Sequence, residues 1–88
     1  MADYSVAFAR SARKDLEKLP SAVAERVIER IEGLTRNPRP PGAVKLQGNK
    51  DLWRIRIGDY RAIYSIDDSA RVIDISAVRH RRDVYRSL

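Results

Sequence analysis

The chain has 88 residues, 43% of them hydrophobic with a single Trp, enough for one domain with a modest core spanning 1–88. The absence of Cys excludes a disulfide framework and thiolate metal ligation, and the lone His and scattered carboxylates show no metal-ligand spacing, so no metal or cofactor is expected. No apolar run is long enough to span a membrane and no signal-peptide pattern is present, so a cytoplasmic protein is expected, and a net charge of +6 points to an acidic or polyanionic partner.

In chain order, Tyr4, Val6 and Phe8 alternate and predict a first strand over 4–9. Ser11 is positioned to cap a short helix running to about Leu19, ahead of Pro20. Ser21 is positioned to cap a second helix, in which Val23, Val27, Ile28, Ile31 and Leu34 keep a helical period. Asn37-Pro38-Arg39-Pro40-Pro41-Gly42 reads as a rigid loop that ends the helical part. Strands follow near 44–47, 52–57, 60–66 and 71–78, and a short helix or turn is expected from about Arg81. This order predicts an α+β fold, with two N-terminal helices packed on one face of a small, mainly antiparallel sheet and a short C-terminal helix.

The stretch DLWRIRIGDYRAIYSI sets the expected register. Gly58-Asp59 has the signature of a type II′ two-residue turn, which pairs Ile57 with Tyr60, Arg56 with Arg61, Ile55 with Ala62 and Arg54 with Ile63. Trp53, Ile55, Ile57, Tyr60, Ala62 and Tyr64 then share the helix-covered face, and Arg54, Arg56 and Arg61 share the other. A four-residue loop at 67–70 pairs Tyr64 with Ile73, Ala62 with Ile75 and Arg61 with Ser76. The second face is then open, with Arg54, Arg56, Arg61, Ile63, Asp74 and Ser76 on it. The charge follows the same division, because residues 45–61 carry five basic against two acidic groups, and residues 79–88 four against one. Like charges directly opposite one another destabilise a sheet. Arginine opposite arginine without an intervening acid therefore reads as an anion site rather than a solvated face. The guanidinium fork also suits phosphate better than lysine does.

Read as a whole, FARSARKDLEKLP, NPRPPGAVKLQG, LWRIRIGDYRAIYSI and ISAVRHRRDVYRSL, in this order and spacing, resemble the RelE/ParE toxin superfamily, and the RelE branch most closely. The resemblance implies a ribosome-dependent mRNA endonuclease, acting without a metal in the ribosomal A site and neutralised by a cognate RelB-like antitoxin. The toxin–antitoxin complex is then expected to bind operator DNA. Carried over by position, the resemblance makes Arg61, Arg79, Tyr85 and Arg54 the expected catalytic groups. Arg56, Lys45, His80, Arg81 and Arg82 are the expected RNA contacts. Well-known members carry lysines where this chain has Arg54 and Arg56, and an arginine is always charged, so these two suit phosphate clamping rather than base catalysis.

The proton acceptor stays open between His80, Tyr85 and an RNA phosphate. Tyr85 itself has two readings, a ring packed on the sheet or a ring stacked on a base. Two further functions fit the same fold: a ParE-like inhibitor of DNA gyrase, and a non-catalytic nucleic-acid-binding module.

Overall fold

The computed structural model describes residues 3–48 and 51–82, and the expected C-terminal helix lies largely outside them. Five strands and two helices follow in the order β1 (Ser5–Phe8), α1 (Arg10–Glu17), α2 (Ser21–Gly33), β2 (Val44–Lys45), β3 (Leu52–Ile57), β4 (Tyr60–Asp67) and β5 (Val72–His80). The sheet order is β1-β5-β4-β3-β2; β1 runs parallel to β5 and all other neighbours are antiparallel. This is the α+β arrangement expected from the sequence. Among the described residues, no helix is long and apolar enough to cross a membrane.

The core lies between the helices and one sheet face. Ile55, Ala62, Tyr64, Ile73 and Ile75 are fully buried against Ala12 of α1 and Val27 and Ile31 of α2, with Leu34 just beyond. Val6 and Phe8 add the inward side of β1. Ile28 belongs to the helical period but stands outward and exposed. Neither helix is capped as the serines suggested. α1 starts two residues earlier, after Ala9, and α2 follows an extended Pro20 whose carbonyl accepts the Ala24 N–H at 2.9 Å. The Ser11 hydroxyl is engaged elsewhere, donating to the Ser76 carbonyl at 2.7 Å.

The β3–β4 hairpin pairs as expected, with Arg56 opposite Arg61 and Arg54 opposite Ile63. Gly58 takes φ +60 while Asp59 does not enter the positive region, in keeping with a II′ turn. The β4–β5 register differs. The connecting turn holds four residues but sits one residue later, at 68–71, with Arg71 at φ +56 and the Ala70 N–H bonded to Asp67 Oδ1 at 3.0 Å. Tyr64 consequently faces Ile75, not Ile73. Between Ile75 and Ala77 the ladder then skips Ser76, a β-bulge that moves the rest of β5 by one further residue. Ala62 faces Val78, and Arg61 faces Arg79 rather than Ser76.

Contacts at Pro38 and Arg39 tie the proline-rich loop to this frame. The Tyr64 hydroxyl, fully buried, donates to the Pro38 carbonyl at 2.8 Å, and burial pushes its pKa up to about 12. Arg39 lies over the Trp53 ring at 5.3 Å and forks onto Asp68, at 2.9 and 3.3 Å. The Tyr4 hydroxyl donates to the same carboxylate at 2.6 Å.

Removing the Tyr64 hydroxyl leaves a buried carbonyl unpaired, so Tyr64→Phe is expected to lose about 1–2 kcal/mol of stability. In urea this reads as a lower midpoint with an unchanged slope. Asp68 supplies a pH signature. Its hydrogen bonds from Arg39 and then Tyr4 hold its pKa below the ordinary carboxylate value. Its contribution is therefore complete above the unfolded-state pKa and lost as pH falls through the depressed folded-state value. Asp68→Asn is expected to flatten the acid limb of a stability–pH curve below about pH 4, and to alter the alkaline limb as well, because the same carboxylate holds the Tyr4 hydroxyl above its ordinary pKa.

Candidate nucleic-acid interface

The bulge decides which side chains share the second sheet face. A one-residue slip moves every following side chain to the other face, so Ser76 turns Arg79 onto the arginine face and Val78 into the core. Arg56, Arg61 and Arg79 thereby form one row across β3, β4 and β5. At about 4.8 Å between strands, the row places three guanidinium-bearing positions across roughly 10 Å. The neighbouring row runs Val44, Arg54, Ile63 and Ala77. A cleft of about 400 Å³ opens on this side, lined by Gly42, Val44, Arg54, Arg56 and Arg61.

The face is less open than the sequence suggested. Arg61 is only 6% exposed and Ile63 1%. The Arg61 guanidinium donates to the carbonyls of Tyr60 at 3.1 Å and Gly58 at 3.4 Å, so it braces the turn that set the hairpin register. Arg79 Nε donates to Asp15 Oδ2 at 3.1 Å. Acceptors thus hold two of the three arginines, which offsets part of the repulsion between like charges in adjacent strands. Arg56 is exposed and Arg54 half-buried.

The other expected site residues are divided. Lys45 pairs with Trp53 and therefore lies on the helix side of the sheet, away from the arginines. His80 pairs with Tyr60, and the two rings meet edge to face at 5.4 Å, also on the helix side. Arg81 and Arg82 are exposed in the turn after β5, and the Arg81 N–H bonds to the Asp59 carbonyl at 2.7 Å. Tyr85 lies outside the described residues.

Sequence reasoning missed two features. One is Asp15, whose link to β5 is invisible in the sequence beyond its helical spacing from Ser11. The other is the acidic far end of the same face, where the sequence placed only Asp74. Along β4, Arg61, Ile63, Ser65 and Asp67 run from positive to negative, and Asp51, Asp67, Asp68 and Asp74 line a cavity of about 670 Å³ there. An approaching polyanion is steered to the arginine end. Among the described residues, no group of three or more His, Asp or Glu side chains is arranged to hold a metal ion.

Residues 6–85 match the family model described as the ParE toxin of the type II toxin–antitoxin system parDE. The chain belongs to the RelE/ParE toxin superfamily. Among relatives of this RelE/ParE-type chain, toxin RelG of Mycobacterium tuberculosis is 38% identical, over 94% of the chain and 97% of the relative. The mRNA interferase toxin RelE of Escherichia coli is 31% identical, over 93% and 90%. The toxin in the archaeal RelE–RelB complex of Pyrococcus horikoshii superposes with a TM-score of 0.79 at 36% identity, covering 92% of this chain and 97% of that one.

The different settings of the paired arginines give a direct test in this RelE/ParE-type chain. Arg61→Ala is expected to lower stability by about 1–3 kcal/mol, since it strips buried hydrogen bonds from the turn. The exposed Arg56→Ala is expected to stay within about 0.5 kcal/mol of wild type. Paired urea melts check both values.

Proposed function

We propose that this chain is an mRNA interferase of the RelE branch, cutting message in the ribosomal A site without a metal ion and held inactive by a RelB-like antitoxin. The observation that carries the reading is the row Arg56–Arg61–Arg79, completed by the bulge in β5. The interferase name of the Escherichia coli relative and the antitoxin-bound archaeal relative support it.

In the reaction, the 2′-oxygen of one nucleotide forms a bond to the adjacent phosphorus as the bond from phosphorus to the 5′-oxygen breaks. The 2′-hydroxyl loses a proton and the leaving oxygen gains one. Negative charge accumulates on the phosphoryl oxygens in the transition state, where fixed guanidinium groups stabilise it most. Arginine cannot serve as the base, so Arg54, Arg56, Arg61 and Arg79 act as clamps and charge stabilisers. The proton passes to Tyr85 or to an RNA phosphate; His80 faces the helix side and is the poorer candidate. The basic row and the exposed Arg81 and Arg82 also suit an acidic antitoxin segment, and the complex of the two proteins is the species proposed to bind operator DNA.

The family model's own description favours a second reading, a ParE-like inhibitor of DNA gyrase. Primer extension on a translated message separates the two. Cuts within codons are expected on ribosomes and none on naked RNA, with gyrase supercoiling unaffected. Uncut message with blocked gyrase would establish the second reading. On programmed ribosomes, Tyr85→Ala is expected to cut about ten- to a hundredfold more slowly, with Tyr85→Phe between it and wild type, as a stacked ring with a proton-carrying hydroxyl requires.

A further inference from the structure

Strand β5 runs on past the last residue that β1 pairs, since Phe8 faces Ile75 and β5 ends at His80. Helix α1 occupies the edge that β1 leaves. Ser11 and Asp15 stand one helical turn apart on α1. Ser11 Oγ donates to the Ser76 carbonyl at 2.7 Å, and Asp15 Oδ2 accepts the Val78 N–H at 2.9 Å. The same oxygen accepts Arg79 Nε–H at 3.1 Å, in a pair whose side chains are 32% (Arg79) and 14% (Asp15) exposed. One carboxylate thus reads both the backbone just beyond the bulge and the side chain that the bulge turns onto the arginine face.

We propose that Asp15 is a positioning residue for Arg79, holding its guanidinium plane, through Nε, in the orientation that meets an RNA phosphate. The inference rests on reading Arg79 as a phosphate contact. An arginine side chain has many rotamers, and ordering it at the moment of binding costs affinity. A half-buried carboxylate on Nε orders the fork beforehand, and a charged acceptor does so more firmly than a neutral amide. The competing account is that Asp15 only seals the edge of β5. That role needs one acceptor for the Val78 N–H, which asparagine also provides.

The test compares wild type with Asp15→Asn, Arg79→Lys, Arg79→Ala and the Asp15→Asn/Arg79→Ala double variant. Tyr64→Phe, on the opposite face, reports the effect of lost stability alone. Four readouts are used: thermal melting, the ¹⁵N resonance of Arg79 Nε–H (assigned by its loss in Arg79→Ala), binding of a short single-stranded RNA oligonucleotide, and single-turnover cleavage on programmed ribosomes. Asp15→Asn is expected to shift and broaden the Nε–H resonance, to weaken oligonucleotide binding severalfold and to slow cleavage about tenfold. Tyr64→Phe at equal or greater loss of melting temperature keeps wild-type cleavage. Arg79→Lys, which keeps the charge but has no planar fork, is expected to slow cleavage as much as Asp15→Asn; it carries the test if Asp15→Asn folds poorly. In the Arg79→Ala background, Asp15→Asn is expected to change binding and cleavage less than twofold. A wild-type Nε–H resonance and wild-type binding in Asp15→Asn would overturn the proposal, and so would equal losses in both backgrounds or wild-type cleavage by Arg79→Lys. If the wild-type protein cuts no RNA, the interferase reading fails by itself, and the resonance and oligonucleotide binding still decide the role of Asp15.

Discussion

The extra residue in β5 is the constraint on which the rest of the site depends. Without the bulge at Ser76, the alternation of β5 would carry Arg79 to the core side and Val78 to the arginine side. Both would be costly, since a guanidinium would enter an apolar layer and an aliphatic side chain would leave it. A bulge costs ladder hydrogen bonds on the β4 side, and on the outer edge of β5 beside it α1 supplies the partners that β1 does not: Ser11 satisfies the Ser76 carbonyl, and Asp15 the Val78 N–H. The short β1 is part of the same solution, because a longer one would occupy the edge that the helix uses.

The arginine row looks unfavourable as a set of cross-strand pairs, but its members are not equivalent. Arg61 is buried and spends donors on the β3–β4 turn, so it is a structural element of the hairpin. Arg79 is half-buried and oriented by a carboxylate, while Arg56 is exposed. No buried side-chain nitrogen or oxygen among the described residues lacks a hydrogen-bond partner. A positive field therefore persists at this end of the sheet without an unpaired buried polar group. The acidic opposite end makes the face a dipole rather than a uniform patch.

The parts of this arrangement that are local in the chain could be read from the sequence. Gly58-Asp59 carries its turn type in two residues, and the hairpin pairs as that turn requires. The apolar alternation in β1, β3 and β4 and the helical period of α2 assign the core face correctly, apart from the exposed Ile28. What could not be read depends on distant groups. Ser11 looks like a cap until the Ser76 carbonyl, far along the chain, is seen to accept its hydroxyl proton. The bulge has no glycine to announce it, and the expected loop at 67–70 begins one residue too early because Arg71 adopts a left-handed conformation that its side chain does not signal. Lys45 and His80 stand among the expected RNA contacts, and the pairings with Trp53 and Tyr60 put them on the face opposite the arginines. The expectations for Tyr85 fall outside the described residues.

The parallel pairing of β1 with β5 has a consequence for how the molecule comes into being. Ser5 meets Val72, so the first strand has no sheet partner until nearly all of the intervening chain has been made. Contacts of such high order are entropically expensive to close and slow to form. The hairpin of β3 and β4 closes locally, and α1 and α2 are short-range elements; β5 is the piece that joins them. It is also the strand that supplies Arg79 and receives Ser11 and Asp15. Closure of the fold and assembly of the arginine row are consequently the same late event, and a nascent chain that has reached only β4 carries neither.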